Sequence, residues 1–253
     1  MPRKAREKSE SGIYHIMLRG INRQDLFEDD EDRQKFIDTI AFYKKKGGYK
    51  IYAYCIMSNH VHLLIEEEKE PFSLIMKRIS SSYVYYYNWK YCRCGHLFQE
   101  RFKSEIVEND NYFLTVLRYI HQNPIKANII KNPQEYKWSS YNEYLDGSKI
   151  VDDDFVLSIF SENKTAAIQR FISFNDKESE DKCLENEVNK RVDDKEARKI
   201  IKIIAKVENI GDIQGFEKEK RDKIIKGIKG IDDLSIRQIA RITGLSYNLV
   251  LKV

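Results

Sequence analysis

His60 and His62 open an apolar, β-forming run, His60-Val-His-Leu-Leu-Ile65, that follows a polar Ser58-Asn59 break. In a strand, alternate side chains share a face, so both imidazoles project to one side while Val61 points to the other. Two neutral imidazoles fixed in this way can hold a divalent metal, provided that a third ligand arrives from another element and one position stays open for substrate. The same pair also fits surface or packed histidines, because His-x-His alone is a weak signal. Tyr119 and Asn123 lie four apart in a segment of helical periodicity, so they share a face and both could reach such a centre. Pro124 works against this, since the residue before a proline is pushed out of the helical region.

A tyrosine hydroxyl, with a free pKa of about 10, is a weak nucleophile unless a cation or base favours its phenolate. Beside a metal that polarises a phosphodiester, it could attack phosphorus and keep the bond energy of the cut strand in a covalent link. Tyr83, Tyr85, Tyr86, Tyr87 and Tyr91 crowd a second segment, but that segment is expected to form the helix backing the closed face of the sheet. His15 and His121 read as packing or hydrogen-bonding residues. Cys92-Arg-Cys-Gly-His96 does not match the usual zinc-ligand spacings.

The elements that must position these groups follow in order. Residues Met1 to Glu10 read as a solvated tail, and Gly12–Gly20 alternates as a first strand. Asp29-Asp-Glu-Asp32 places carboxylates at the start of a helix that ends at Gly47-Gly48. Tyr49–Met57 and His60–Glu67 form a hairpin through Ser58-Asn59. Pro71 fits the first turn of a second helix running to about Tyr91. Leu97–Glu108 suits a fourth strand, Tyr112–Gln122 a third helix that ends at Asn123-Pro124, and Ile125–Ile130 a short helix or turn. Trp138–Tyr144 closes the segment. This βαββαβ order predicts an α+β class: a ferredoxin-like antiparallel sheet with added helices, two of them backing one face and the third free to lie across the other.

Residues 1–147 are thus expected to form the first domain and 148–192 a charge-dense helical linker. Residues 193–253 are expected to be an all-α domain with a C-terminal helix-turn-helix. There Ser235 and Ser246 serve as caps, Ala240 is small at the crossing and Gly244 sits in the turn. Arg237, Tyr247 and Asn248 are its candidate DNA contacts. Nearer the histidines, Arg19, Arg23, Arg101, Lys103 and Lys126 suit phosphate, and Asn22 could read a base edge. A solvated charged surface fits any one of them equally.

Composition narrows the class. The 253 residues are 42% hydrophobic and 33% charged, ordinary for a globular protein, and no apolar run approaches the roughly 20 residues of a membrane span. The start is basic but lacks the apolar core of a secretory signal, and four cysteines form no disulfide framework, so the cytoplasm is the expected location. A net charge of +4 permits a polyanionic partner.

Five ordered motifs carry a resemblance. Tyr14-His-Ile-Met-Leu-Arg-Gly-Ile-Asn-Arg-Gln24, Ala53–Ile65 around the histidines, Gly95-His-Leu-Phe-Gln-Glu-Arg-Phe-Lys-Ser104, Arg118-Tyr-Ile-His-Gln-Asn-Pro-Ile-Lys-Ala127 and Trp138-Ser-Ser-Tyr141 resemble the IS200-type single-tyrosine HUH transposases, and more narrowly the REP-associated tyrosine transposases. The resemblance implies a ferredoxin-like nuclease that cuts single-stranded or hairpin DNA of the REP palindrome kind with Mg²⁺ or Mn²⁺. The products would be a 5′-phosphotyrosine and a free 3′-hydroxyl. It makes His60 and His62 the metal-binding pair, Tyr119 the nucleophile and Asn123 the residue completing the metal site. It also implies a homodimer and a place at the nucleoid. The rival expectation is a non-catalytic, sequence-specific DNA-binding regulator that keeps the fold.

Overall fold

β1 (Ile13–Arg19), whose run Tyr14-His-Ile-Met-Leu18 is broken by one polar side chain only, is a strand buried on both faces. It ends at Gly20, where an added Cβ would meet the Gln24 carbonyl oxygen at 2.1 Å, so the tight turn over Ile21–Arg23 requires a glycine there. The Asp29 side chain accepts from the Asp32 amide and Asp32 answers it, a capping box that starts α1 (Asp30–Gly47). Gly48, at φ 60°, stops that helix in the left-handed conformation. β2 (Lys50–Ile56) and β3 (His60–Glu66) form the expected hairpin, and α2 (Phe72–Lys90) starts after Pro71 at its N-cap. β4 (Lys103–Ile106) and α3 (Asp110–Lys126), capped by Asn109, follow. The computed structural model describes residues 6–177, 179, 183–184, 194–231, 234 and 236–253.

The four strands make one sheet in the order β2-β3-β1-β4, every neighbouring pair antiparallel. Residues directly opposite one another share a face. Arg19 faces His60, Met17 faces both His62 and Lys103, and His15 faces Leu64 and Glu105, so one face collects these side chains. Tyr14, Ile16 and Leu18 point to the other. There Tyr14 stacks on Phe72 at the start of α2, with ring centroids 3.9 Å apart, and Phe36 of α1 meets Tyr83 of α2 edge-on. α3 lies against the histidine face, its Tyr119 ring 5.9 Å from His15. β2 carries one extra residue: Ile51 pairs with Ile65 and Ala53 with Leu64, leaving Tyr52 between them as a bulge. The Tyr52 ring meets Phe113 of α3, and its hydroxyl donates to Glu66.

Four expectations require correction. β4 is shorter than Leu97–Glu108. The Leu97 carbonyl and the Gln99 amide still bond to Ile21 and Arg19, but residues 100–102 leave the ladder before it resumes at Lys103. α3 does not stop at Gln122. It continues through a buried Pro124 to Lys126, absorbing the start of the separate turn expected from Ile125, because a proline removes one helical hydrogen bond and packing of its ring compensates. The stretch 148–192 is not a linker as far as it is described. α4 (Glu143–Asp146) is followed by α5 (Asp153–Phe160) and α6 (Lys164–Asn175), whose Val156, Leu157, Ala167 and Phe171 join the first core. Phe171 stacks on Tyr144 at 4.5 Å, and the first compact unit runs to Leu184. Residues 185–192 lie outside the described residues. The basic tail is partly packed: the Arg6 guanidinium sits 3.8 Å from the Phe102 ring centroid, while Arg3 and Lys4 lie outside the described residues.

The second unit, Glu185–Val253, holds α7 (Asp194–Ala205), a 3-10 turn at Ile210–Gly215, α8 (Lys218–Lys229), α9 (Ile236–Thr243) and α10 (Tyr247–Lys252). Its core is Ala197, Ile201, Ile213, Ile225, Ile228, Ile239 and Val250. Gly244, at φ 71°, ends α9, and a Cβ there would meet the Gln214 amide nitrogen at 2.1 Å; that amide donates to the Thr243 carbonyl. Ser246 accepts from the Leu249 amide and starts α10, whereas Ser235 lies outside the described residues. Among the described residues no helix is long and apolar enough to cross a membrane.

Candidate active site

Period-two alternation in β3 sends His60 and His62 to the α3 face, their rings perpendicular and 5.1 Å apart. Because α3 stays helical through Pro124, Tyr119 and Asn123 remain on one face and both turn toward the sheet. Tyr119 lies edge-on to His62 at 5.4 Å, and Asn123 Oδ1 is 3.1 Å from His60 Nε2. The four residues read from the sequence are therefore brought together from a strand and a helix. Tyr119, His62 and Asn123 are buried, and His60 is partly exposed. Beneath them, His15 Nε2 and His62 Nδ1 are in hydrogen-bonding contact at 2.9 Å. His15 Nδ1 faces Glu105 Oε2 at 3.7 Å, within ion-pair range but too long for a hydrogen bond.

Protonation decides what these atoms can hold. Burial is the largest cause depressing all three histidines. It takes His60 to about 4 with help from Arg19 and against the Asn123 contact, and lowers His62 well below the ordinary value. In His15 the Glu105 carboxylate opposes the shift without cancelling it. The rings are thus neutral near pH 7. His60 Nδ1 is 2.7 Å from Asn59 Oδ1, which can only accept; the Asn59 amide is oriented by its Nδ2 donating to the Arg23 carbonyl. The His60 proton therefore sits on Nδ1, and Nε2 presents a lone pair to Asn123. With the Asn123 oxygen toward it, two lone pairs oppose each other, the donor set a cation would bridge; rotating the amide satisfies the pair without one. His60, His62 and Asn123 thus fit a divalent metal. Among the described residues no cluster of three His, Cys, Asp or Glu side chains offers another metal site.

The basic residues divide. Arg19, opposite His60, is half-buried; burial lowers its pKa, Arg23 lowers it further and Tyr119 opposes both. Lys126 Nζ lies 4.8 Å from the Tyr119 ring centroid. Asn22 and Arg23 are exposed in the turn after β1 at positive φ, close in sequence to Arg19. Lys103 shares the histidine face by register, yet it and Arg101 line a cleft with Arg6, Tyr14 and Phe72 at the β4 edge. Arg237, Tyr247 and Asn248 are exposed on α9 and α10 of the second unit. Glu105 is absent from the sequence reading as a site residue, and His15 appears there as a packing or hydrogen-bonding residue, the second of which its 2.9 Å contact with His62 Nδ1 fits. The signal for His15 is parity: it is an even number of residues from Arg19 on one strand, so it shares that face.

Residues 8–123 match the family model of IS200-like transposases, a span that contains His60, His62, Tyr119 and Asn123. No curated protein matches the chain. The fold is similar to a solved structure of a REP-associated tyrosine transposase bound to a REP hairpin, at a TM-score of 0.50 and 18% identity, over 58% of this chain and 86% of that one.

Proposed function

With residues 8–123 an IS200-like transposase segment, we propose that the protein cleaves and rejoins single-stranded or hairpin DNA through a 5′-phosphotyrosine on Tyr119. The observation that carries this reading is the convergence of the Tyr119 ring, the His62 ring and the facing His60 Nε2 and Asn123 Oδ1 atoms on one face of the sheet. Tyr119 Oη attacks phosphorus, the bond to the 3′ oxygen breaks, and that oxygen leaves as a 3′-hydroxyl; the reverse attack rejoins the strand. Arg19 and Lys126 put positive charge beside the tyrosine, where it favours the phenolate and the charge developing on phosphate. His60, His62 and Asn123 would hold Mg²⁺ or Mn²⁺, which when bound supplies Lewis-acid polarisation of the phosphate. His62, walled by His15 and Tyr119, keeps water from that side.

The strand order β2-β3-β1-β4 supports the ferredoxin-like assignment. α9, the Gly244 turn and α10 support a helix-turn-helix presenting Arg237, Tyr247 and Asn248 to DNA. A REP-like palindrome is the proposed substrate, because the structurally similar transposase is bound to a REP hairpin. A homodimer would bring two cut ends together.

End-labelled hairpin DNA incubated with the protein and Mn²⁺, then run on a denaturing gel, tests the reading. A labelled protein–DNA adduct that disappears in Tyr119→Phe is expected. An adduct of undiminished yield in that variant removes Tyr119 from the nucleophile's role.

A further inference from the structure

His15 is wholly buried on β1 and the proposed chemistry does not use it. Its two ring nitrogens have very different neighbours. Nε2 is 2.9 Å from His62 Nδ1, and Nδ1 faces Glu105 Oε2 at 3.7 Å. Both His15 Nδ1 and Glu105 Oε2 are buried and without a hydrogen-bond partner among the described residues, and they face each other. A carboxylate cannot donate, and a ring lone pair turned toward it would be repelled. The His15 proton therefore belongs on Nδ1.

That assignment propagates. With its proton on Nδ1, His15 offers a lone pair at Nε2, and His62 Nδ1, in contact with that atom, must carry the next proton. His62 Nε2 is then left with its lone pair. The opposite arrangement would set two lone-pair-bearing atoms face to face at Glu105 and put the His62 proton on Nε2, where it would block coordination.

We infer that Glu105 and His15 form a positioning relay that fixes the tautomer and orientation of His62 and so presets its Nε2 as a metal ligand. The inference rests on the metal reading of His60, His62 and Asn123. His15 and Glu105 are positioning residues, because neither touches substrate or the reacting atoms. A carboxylate that orients a ligating imidazole is a common arrangement; here a second histidine is interposed, so the carboxylate acts across two rings.

The test uses the full-length protein and two readouts. The first is Mn²⁺ affinity, from the free-ion signal in electron paramagnetic resonance. The second is the His62 tautomer in the metal-free protein, from long-range ¹H–¹⁵N spectra of histidine-labelled chain, where the five histidines can be assigned by single replacements. His15→Ala should weaken Mn²⁺ binding by about 10- to 100-fold and move the His62 proton off Nδ1. His15→Gln, whose carbonyl can accept from His62 Nδ1, should restore both. Glu105→Gln should shift both in the direction of His15→Ala but less far, and at the partly exposed sheet edge it serves equally if His15→Ala does not fold. Unchanged affinity and tautomer in either His15→Ala or Glu105→Gln overturns the relay while Mn²⁺ binding abolished by His60→Ala keeps the metal site. If His60→Ala and His62→Ala both bind Mn²⁺ as tightly as wild type, the metal reading falls and the relay falls with it.

Discussion

Along β1, Tyr14, Ile16 and Leu18 face α1 and α2, while His15, Met17 and Arg19 face α3, and the two sets are stabilised by different means. The first set is aromatic and aliphatic; removing each such side chain from water contributes on the order of 2 kcal/mol, and no partner geometry is required beyond close packing. The second set buries imidazoles, an amide and part of a guanidinium, groups that cost free energy to desolvate unless each finds a partner. Most find partners: His15 Nε2 contacts His62 and His60 contacts Asn59 and Asn123, while His15 Nδ1 has Glu105 only at ion-pair range and Arg19 Nε has no hydrogen-bond partner among the described residues. One strand thus joins a face that makes the domain stable to a face whose polar groups are tolerated because they are connected.

The sharpest way to break this contrast is to substitute on each side in turn. His62→Ala should lower adduct formation by about 10³-fold, the scale on which losing a charge-stabilising group slows a reaction, while the urea midpoint moves little. A variant that cleaves at the wild-type rate would place the chemistry elsewhere. Ile16→Ala should do the reverse, costing about 3 kcal/mol of unfolding free energy in urea with adduct yield per folded molecule unchanged.

Acid should reveal the buried imidazoles. Burial holds His121 at about 3, below the 6.5 of an exposed histidine, and holds His60 at about 4. The unfolded chain therefore binds protons that the folded chain refuses. The stability associated with each neutral ring is complete above pH 6.5 and is lost as pH falls from there toward the folded value. His121→Gln, which can keep a contact to Ser140 Oγ, should flatten the decline of melting temperature below pH 6.5; an unaltered slope would mean that His121 does not titrate between the two states. The smallest effect is expected from Arg237→Ala in the second unit. Hairpin affinity should fall and the slope of log affinity against log salt should drop by about one phosphate contact, with the cleavage rate at saturating DNA unaffected. A salt slope identical to wild type would take Arg237 off the DNA.

What could be read ahead of the structure was local. Alternation identified β1, β-forming runs on either side of Ser58-Asn59 identified β2 and β3, the carboxylates from Asp29 and the Gly47-Gly48 pair bounded α1, and the spacing of His60 with His62 and of Tyr119 with Asn123 set their faces. What could not be read depended on distant partners. α3 passes Pro124 with the proline buried, which a propensity argument cannot see. α5 and α6 look like a charged linker in sequence because each offers only a narrow apolar stripe, which becomes core where Val156 and Leu157 are buried and Phe171 meets Tyr144. Glu105 was illegible for the same reason: only the pairing of β4 with β1 puts it opposite His15.

The bulge at Tyr52 gives the aim of Tyr119, the proposed nucleophile, an angular tolerance. The single inserted residue holds Phe113 of α3, six positions before Tyr119, so the contact acts as the pivot of a lever about 9 Å long. A tilt of about 5° about that pivot would swing the tyrosine by about 0.8 Å at the 1.5 Å rise per residue of a helix. Displacements near 1 Å can cost on the order of 10²-fold in rate. Trimming the Tyr52 ring, far from any phosphate, would then detune the reaction by misalignment alone, as a loosened mount detunes an instrument whose working parts are intact.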